Sequence, residues 1–504
     1  MTFVDDFLNK ITMYRLVLYY LLALLGLAFL FGLFGILPYS PANLAFSTLV
    51  IMGVSWLSNI AFARVFRAIP NIESVYITGL ILALIVTPVA PTDVAGVGFA
   101  VFAAVWAMAA KYIFAIGKKH LFNPAAFGVA LGALMLAGQG ATWWVGGNLP
   151  LLPFVFFGGL LIVRKIHRFD LVLSFFAVAI ITIALTATGG DAVTAIVQTL
   201  LHSAIFFLAF VMLTEPLTMP PSRGLRLVYG AIVGILVAPN IHFGSFYFTP
   251  ELALLVGNLF SYLVSPKGRF MLTLLEKIRL ADGTYEFAFA TDRPIPFRAG
   301  QYIEWTLGHR FADNRGNRRY FTLASAPTEQ EVRLGVKFYK PASTFKRALW
   351  AMQAGDALTV SHPAGDFTLP RDTKKKLAFI AGGIGITPFR SIVQHLIDTN
   401  DARDVALLYA NKTVSEIAYK DLFDTAARAI GMKTVYALSN EPAPPPGTVG
   451  KISAELVARE IPDYEERTFY ISGPRGMVEA FTTMLTDMGV SRLHIKTDYF
   501  PGFA

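Results

Sequence analysis

The chain contains no cysteine. That absence removes disulfides, cysteine-ligated iron–sulfur clusters, thiolate nucleophiles and covalent c-type haem from anything these 504 residues do alone. Charge is scarce too: Asp, Glu, Lys and Arg make up 15% of the residues against 55% hydrophobic ones, and mean hydropathy is +0.54. An all-soluble protein does not carry that balance, so part of the chain is expected in lipid. Paired histidines are missing from the apolar half. His202 falls within an apolar run, whereas His120, His167 and His242 fall at edges or loops, so two stacked bis-histidine haem sites cannot be built. The formal net charge of +9 reads as Lys and Arg flanking membrane segments and not as a nucleic-acid patch.

What is present divides the chain. Residues 1–270 are long apolar runs with isolated basic residues, and 271–504 carry the mixed charge of a cytosolic domain. Judged against the 17–25 or so apolar residues that cross a bilayer as a helix, about ten spans are expected. They lie near 14–37, 42–62, 74–90, 94–110, 124–138, 149–163, 169–187, 193–213, 225–239 and 248–264. The first is too long for a removable signal peptide and lacks its cleavage pattern, so it reads as a retained helix. Lys10 and Arg15, Arg64 and Arg67, Lys111, Lys118 and Lys119, Arg164, Lys165 and Arg168, Arg223 and Arg226, and Lys267 and Arg269 fall before the first span, after the last, or in even-numbered connections. The odd connections hold Asp93, Asp191 and His242 but no Lys or Arg. The positive-inside rule therefore puts both termini and the soluble half in the cytoplasm, on a multi-pass protein of the cell inner membrane.

Three membrane stretches are more than apolar. In GKKHLFNPAAFG, Gly117 to Gly128, a capping Asn and a first-turn Pro leave backbone N–H groups pointing at a basic loop, the outline of an anion site. LTEPLTMPPSRG, Leu213 to Gly224, breaks a helix with three prolines and sets Glu215 at membrane depth, where an acid is costly without a partner or a task. Each also reads as ordinary helix termination at a membrane surface. The third, GQGATWWVGG from Gly138 to Gly147, carries Trp143 and Trp144, which suit a stacking site or an interfacial aromatic belt.

In the soluble half, short period-2 runs separated by turn residues fill 271–372 and favour an antiparallel barrel. From about 375, strands alternate with helices, favouring a parallel, doubly wound sheet. RRYFTLAS, Arg318 to Ser325, follows the basic, polar run 310–317. Its Arg319 can pair with a flavin pyrophosphate, its Tyr320 ring can cover the isoalloxazine, and its Thr322 hydroxyl can reach the flavin N5 edge. The alternative is a basic strand on a solvated face. AGGIGITPF, Ala381 to Phe389, follows a strand and opens a helix, so Gly382, Gly383 and Gly385 let backbone N–H groups approach a pyrophosphate. ISGPRGMVEAF, Ile471 to Phe481, is a second strand-to-helix turn that would face the first across one crevice.

The ordered set ITGLILALIVTP, HLFNPAAFG, GAT and FVMLTEPLT followed by SRGLRLVYGAIVGIL resembles the ten-helix flavin-carrying D subunit of Rnf complexes and the B subunit of sodium-pumping NADH:quinone reductase, over most of 14–264. That resemblance implies FMN on Thr142 through a phosphoester bond. It also implies a second, non-covalent flavin (FMN or riboflavin) or a quinone held by Lys119, Asn123, Glu215 and Thr218. Nearly all of 271–504 looks like the ferredoxin–NADP reductase family, a flavin barrel plus a nicotinamide-nucleotide domain. The family's Arg-x-Tyr-[Ser/Thr] motif lands on Arg318, Arg319, Tyr320, Phe321 and Thr322, with either Arg as its first residue. VKFYKPASTFKRAL resembles the phosphate-side turn and helix, through Ser343 and Thr344. Thr387 belongs to the pyrophosphate turn, and Ser472, Gly473 and Pro474 stand where many members have Cys-Gly-Pro at the nicotinamide. The resemblance also implies a terminal aromatic that shields the flavin, for which Tyr499, Phe500 and Phe503 are candidates, Phe503 foremost, and simple packing of the last segment is the other reading.

The expected architecture is thus multidomain. A ten-helix α-helical membrane domain, 1–264, is joined by a linker, 265–270, to an antiparallel β-barrel FAD domain, 271–372, and an α/β doubly wound NAD(P)-binding domain, 373–504. The expected activity is that of a membrane-bound NAD(P)H dehydrogenase, a flavin-dependent oxidoreductase that passes electrons from NAD(P)H through FAD to a flavin or quinone in the membrane domain. Tyr320, Thr322 and Ser472 are its expected catalytic residues, with no metal. Expected partners are the lipid bilayer, NAD(P)H, and a quinone or an extracytoplasmic electron-acceptor protein. The alternative is an ion transporter, or a subunit of a redox-driven ion pump, with a flavin reductase module. Asn411, Lys412 and Lys420 follow the strand where NAD and NADP are told apart.

Overall fold

The computed structural model describes all residues except 1–3, 5–6, 9–10, 67–71, 117–118, 188–190, 245, 266–267, 310–312, 314–316, 340, 443–446 and 501–504. Lys10, Arg67, Lys118, Lys267, most of the 310–317 run and Phe503 therefore lie outside the described residues. The chain forms two compact units, Met1–Gly268 and Arg269–Ala504.

The first unit is helical. Its main helices are α1 (Met13–Leu33), α2 (Pro41–Val65), α3 (Ile72–Ile85), α4 (Val94–Ile113), α5 (Pro124–Met135), α6 (Leu152–Ile166), α7 (Phe169–Thr186), α8 (Ala192–His202), α9 (Arg223–Leu236) and α10 (Pro250–Val264). Several starts are written in the sequence. Thr12, Ser40, Asp93, Asn123, Asp191, Ser222 and Thr249 each accept a backbone N–H three residues on, satisfying a donor that the first turn leaves free. Small residues let helices close on one another: a Cβ at Gly128 would lie 2.9 Å from the Ala107 backbone nitrogen, and one at Gly234 2.6 Å from the Phe175 carbonyl oxygen. Such contacts replace the hydrophobic drive that is absent between helices in lipid. α1, α2, α4 and α7 are long and apolar enough to cross a membrane, and α8 with the segment Ile205–Met212 makes a fifth if that pair is one span.

That pair departs from the single run expected over 193–213. Its halves meet at 67°. Ser203 turns extended at ψ 170, donates its hydroxyl to the Thr199 carbonyl at 2.6 Å and takes the Ile205 N–H at 3.3 Å. The notch is filled by the WWVGG segment. A Cβ at Gly146 would stand 2.6 Å from Ala204 Cα, and one at Gly147 3.3 Å from the His202 oxygen. The same segment finishes α3: Trp143 N–H donates to Ile85 O at 2.8 Å, Val145 N–H to Leu84 O at 3.3 Å, and the Trp144 indole to Ala83 O and Val86 O. Both tryptophans are buried. They are packing and capping groups rather than surface rings.

The second unit holds two six-stranded sheets. β1 (Phe270–Ala281), β2 (Thr284–Thr291), β3 (Tyr302–Thr306), β4 (Arg318–Thr322), β5 (Val332–Lys337) and β6 (Ala357–Val360) form an antiparallel sheet in the order β4-β3-β6-β1-β2-β5. α11 (Thr344–Ala351) buries Phe345 and Leu349 in its core beside Trp305 and Phe289. β7 (Leu377–Gly382), β8 (Val405–Asn411), β9 (Lys433–Leu438), β10 (Gly447–Val449), β11 (Thr468–Pro474) and β12 (Ile495–Phe500) form an all-parallel sheet in the order β10-β9-β8-β7-β11-β12. Both its faces are covered, which is why β7 is buried at every position. α12 (Thr387–Asp398) and α13 (Lys420–Ile430) lie on one face, and α14 (Ala454–Glu460) and α15 (Arg475–Asp487) on the other.

Candidate active site

The period of a strand sorts the RRYFT residues. Tyr320 is 59% exposed and meets Tyr302 edge-on at 5.7 Å, while Thr322, two residues on and on the same face, is buried. Arg319 and Phe321 face the other way, toward the Phe345 ring, at 5.2 Å and 5.9 Å. Arg318 lies 3.7 Å from Glu304. Arg319 and Tyr320 thus do not share a face, and Phe321 belongs to the sheet's core side.

Arg319 instead reaches the start of α11. Its Nη2 donates to Asp313 Oδ1 at 3.1 Å, and the other Asp313 oxygen accepts the Thr344 N–H at 3.2 Å. Thr344 Oγ1 takes the Asp313 N–H at 3.0 Å and lies 3.1 Å from His309 Nε2, and Ser343 caps the helix by accepting the Lys346 N–H. A carboxylate held by a guanidinium and a helix N-terminus stands in for an anion, so these residues fit a phosphate-bearing group.

On the nucleotide side, Gly383 takes φ +51 and the turn Gly383–Ile386 runs directly into α12, with Thr387 donating to Ile384 O at 3.3 Å. At Gly385 the neighbour is backbone: a Cβ there would press on Ser472 O and meet Gly473 Cα at 2.6 Å. The two turns are therefore in contact, carried by the neighbouring strands β7 and β11. Gly382 faces the Met477 side chain, and Pro474 ends β11 just ahead of α15. Ser472 is fully buried, and its Oγ has no hydrogen-bond partner among the described residues. An unpaired buried hydroxyl is costly, so its position at the strand end fits a ligand.

One residue that the motifs did not single out joins these parts. Asp498 lies beside Ser472 in the β11–β12 register, and Thr322 Oγ1 donates to its Oδ2 at 3.4 Å. Thr322, Asp498 and Ser472 thus converge from β4, β12 and β11. The signal was an acid in the terminal DYFPGFA, overshadowed by its aromatics. Burial pushes the Asp498 carboxyl up to about 6, against the Thr322 bond, which lowers it. Below its ordinary 3.8 both folded and unfolded chains hold this proton. Between there and about 6 only the folded chain does, so stability falls as pH rises through that window and stays lower above it. Asp498→Asn should flatten this dependence in melting curves and raise the unit's stability at pH 8. A variant whose melting temperature tracks pH as the parent's does would exclude the assignment.

In the first unit, Asn123 caps α5 and its Nδ2 donates to Glu215 Oε2 at 2.8 Å. Thr218 Oγ1 donates to the same oxygen at 3.3 Å. The Asn123 N–H donates to Asn258 Oδ1 at 2.8 Å, and Asn258 Nδ2 to the Tyr229 hydroxyl at 2.9 Å. The backbone of Lys119 pairs with Ile116, and its side chain lies outside the described residues. Lys111 is buried, donates to Ser74 and is electrostatically coupled to Glu215. Asn258, Tyr229 and Lys111 carried no site assignment from sequence, since each sits in an apolar helical run. Thr142 is apart from this cluster, exposed, with its hydroxyl 3.0 Å from that of Thr87. Trp143 beside it donates its indole N–H to the buried Glu251 at 2.8 Å.

Residues 379–483 match the family model of the oxidoreductase NAD-binding domain, and residues 146–267 that of the NQR2, RnfD, RnfE family. The chain is a fusion of these two kinds of domain. Among curated proteins it is similar to a flavohemoprotein of Bacillus cereus, 29% identical over 215 residues, which are 40% of this chain and 53% of that protein. It is also similar to the F subunit of the Na(+)-translocating NADH-quinone reductase of Klebsiella pneumoniae, 28% identical over 200 residues, 36% of this chain and 49% of that protein. The chain spans about half the length of the curated relatives it matches. Among solved structures, the flavohem-like FAD/NAD binding domain of nitric oxide dioxygenase from Vibrio cholerae aligns with 46% of this chain and 98% of that chain, at 23% identity and a TM-score of 0.42.

Proposed function

We propose that the chain is a membrane-bound NAD(P)H dehydrogenase whose second unit takes hydride from NAD(P)H onto FAD and whose first unit accepts the electrons on a flavin or quinone. The observation that carries this is the meeting of Thr322, Asp498 and Ser472 beside the Gly385–Gly473 contact, in a chain that also matches the NQR2, RnfD, RnfE family. Residues 271–372 form the flavin barrel in this reading and 373–504 the nucleotide domain. FAD, when bound, supplies a centre that takes two electrons together and releases them singly. Arg319 and the Thr344 N–H hold its pyrophosphate, displacing Asp313. Tyr320 covers the ring with its exposed face, and Thr322 orients toward the reacting edge. Asp498 holds a proton below about pH 6, and the buried Ser472 hydroxyl lies under the nicotinamide.

In the first unit, Asn123, Glu215 and Thr218, with Lys119, hold the electron acceptor, and Thr142 presents a hydroxyl for FMN. Ten crossings with both ends in the cytoplasm complete the reading, with a quinone or an extracytoplasmic protein as the final acceptor. A second reading, a module of a redox-driven ion pump, is favoured by the similarity to a Na(+)-translocating relative.

The purified full chain should be yellow and should bleach on anaerobic addition of NADH or NADPH. Colourless protein, or colour that persists, would end the proposal. Mass spectrometry of the peptide containing Thr142 decides the route onward. An added FMN mass directs electrons outward, and its absence leaves quinone reduction favoured.

A further inference from the structure

Tyr419 stands just ahead of α13 in a left-handed backbone conformation, φ 60 and ψ 27, that few side chains adopt and that no glycine relieves here. Its hydroxyl donates to Glu286 Oε2 at 2.8 Å. Glu286 is buried on β2, and its other oxygen takes Arg333 Nη1 from β5 at 2.6 Å. A nucleotide-side tyrosine therefore ends on an acid of the flavin-side sheet. β5 is open to receive it: a Cβ at Gly335 would stand 2.8 Å from the Tyr419 hydroxyl and 2.7 Å from Thr387 Cγ2. Thr387 is the residue that carries the glycine turn into α12.

The helix that follows is fastened on its other side. Arg390, whose guanidinium lies 5.9 Å from the Tyr419 ring, donates to Glu329 Oε1 at 2.9 Å and to the Ala324 carbonyl at 3.1 Å. Ser391 Oγ donates to the Ser325 carbonyl at 2.6 Å. Ala324 and Ser325 immediately continue the strand that carries Thr322. The glycine turn is thus set against RRYFTLAS from two directions, and Tyr419 is the strut whose hydroxyl ends on a charged, buried acceptor. Packing alone would need only its ring.

We propose that Tyr419, anchored on Glu286, is a positioning residue for hydride transfer, fixing the nucleotide turn at the distance from the flavin strand that the reaction needs. This rests on the reading of the second unit as an NAD(P)H-flavin reductase. The test uses the full-length protein with two variants. Tyr419→Phe keeps the ring and removes the anchor, and Gly335→Ala pushes on the hydroxyl and the Thr387 methyl while leaving Tyr419 in place. In each, single-turnover bleaching of the flavin by NADH should slow by about tenfold or more. In Tyr419→Phe, bound flavin per protein and the Kd for NAD+, read by calorimetry with no turnover, should stay within about twofold of wild type, because the hydroxyl removed belongs to neither the Arg319–Thr344 cradle nor the Gly385 turn. Gly335→Ala, whose methyl also presses on Thr387 of that turn, is read by its bleaching rate and bound flavin. Bleaching at the wild-type rate in both variants would overturn the proposal. So would a slowing matched by equal loss of flavin or of NAD+ binding, which would make Tyr419 structural only. A wild-type protein that does not bleach at all would instead take down the reductase reading itself.

Discussion

Gly385→Ala is expected to slow reduction of the bound flavin by NADH by about a hundredfold while leaving flavin content and chemical reduction by dithionite unchanged. The added methyl would stand 2.6 Å from Gly473 Cα and from the Gly473 nitrogen. Neither neighbour can yield easily, since Ser472 is locked in register with Ala381 on one side and Asp498 on the other. Overpacking of this kind costs about 1–3 kcal/mol where backbone must move. The movement falls on the two turns expected to hold nicotinamide and pyrophosphate. A displacement of about 1 Å at a reacting centre is enough for the predicted loss. Flavin content is protected because Arg319 lies on β4, Thr344 on α11 and Asp313 in the loop between β3 and β4, away from the two turns. Stopped-flow absorbance measures the effect, and a variant as fast as its parent would show that the crevice between these turns does not bind the reductant.

Asn123→Leu and Glu215→Leu are each expected to remove bound flavin or quinone from the first unit. Asn123 Nδ2 donates to Glu215, and leaving a buried polar group without such a partner costs about 1–3 kcal/mol. Losing one weakens ligand binding by about tenfold to a hundredfold before any repacking is counted. In Asn123→Leu the Glu215 carboxyl keeps the Thr218 hydroxyl but loses its amide donor, and in Glu215→Leu the buried Asn123 amide loses its acceptor, while Lys111 keeps its bonds to Ser74. NADH-driven bleaching in the second unit should continue, while transfer to a quinone analogue stops. Flavin and quinone assays per protein check this. An unchanged ligand content in both variants would mean that the Asn123–Glu215 pair only closes the helix start.

Local features of this chain were legible in its sequence and long-range ones were not. Helix starts such as Ser40-Pro41 and Asn123-Pro124 follow from one side chain and the next few backbone groups. The strand-turn-helix of AGGIGITPF was equally legible, because Gly383 answers a demand of the local backbone, although Gly382 and Gly385 answer the distant Met477 and Gly473. The bend after His202 was not. Neither proline nor glycine marks it within the helix, and the segment packed into it, Gly146–Gly147, lies more than fifty residues earlier. Asp498 escaped for the same reason: its partner Thr322 is 176 residues away. Strand alternation also separates Arg319 from Tyr320, a consequence of the two-residue period of β4.

The five residues from Trp143 to Gly147 act as a shared stopper between the end of α3 and the notch after α8. Each of those sites is roughly sixty residues away along the chain, and closing loops of that size is slow and entropically costly. Helices placed one at a time during synthesis would leave this plug unseated until the α8 segment arrived. The Thr142 hydroxyl would then reach its final surroundings only late in assembly, so an enzyme that modifies it would encounter a finished surface rather than a growing chain.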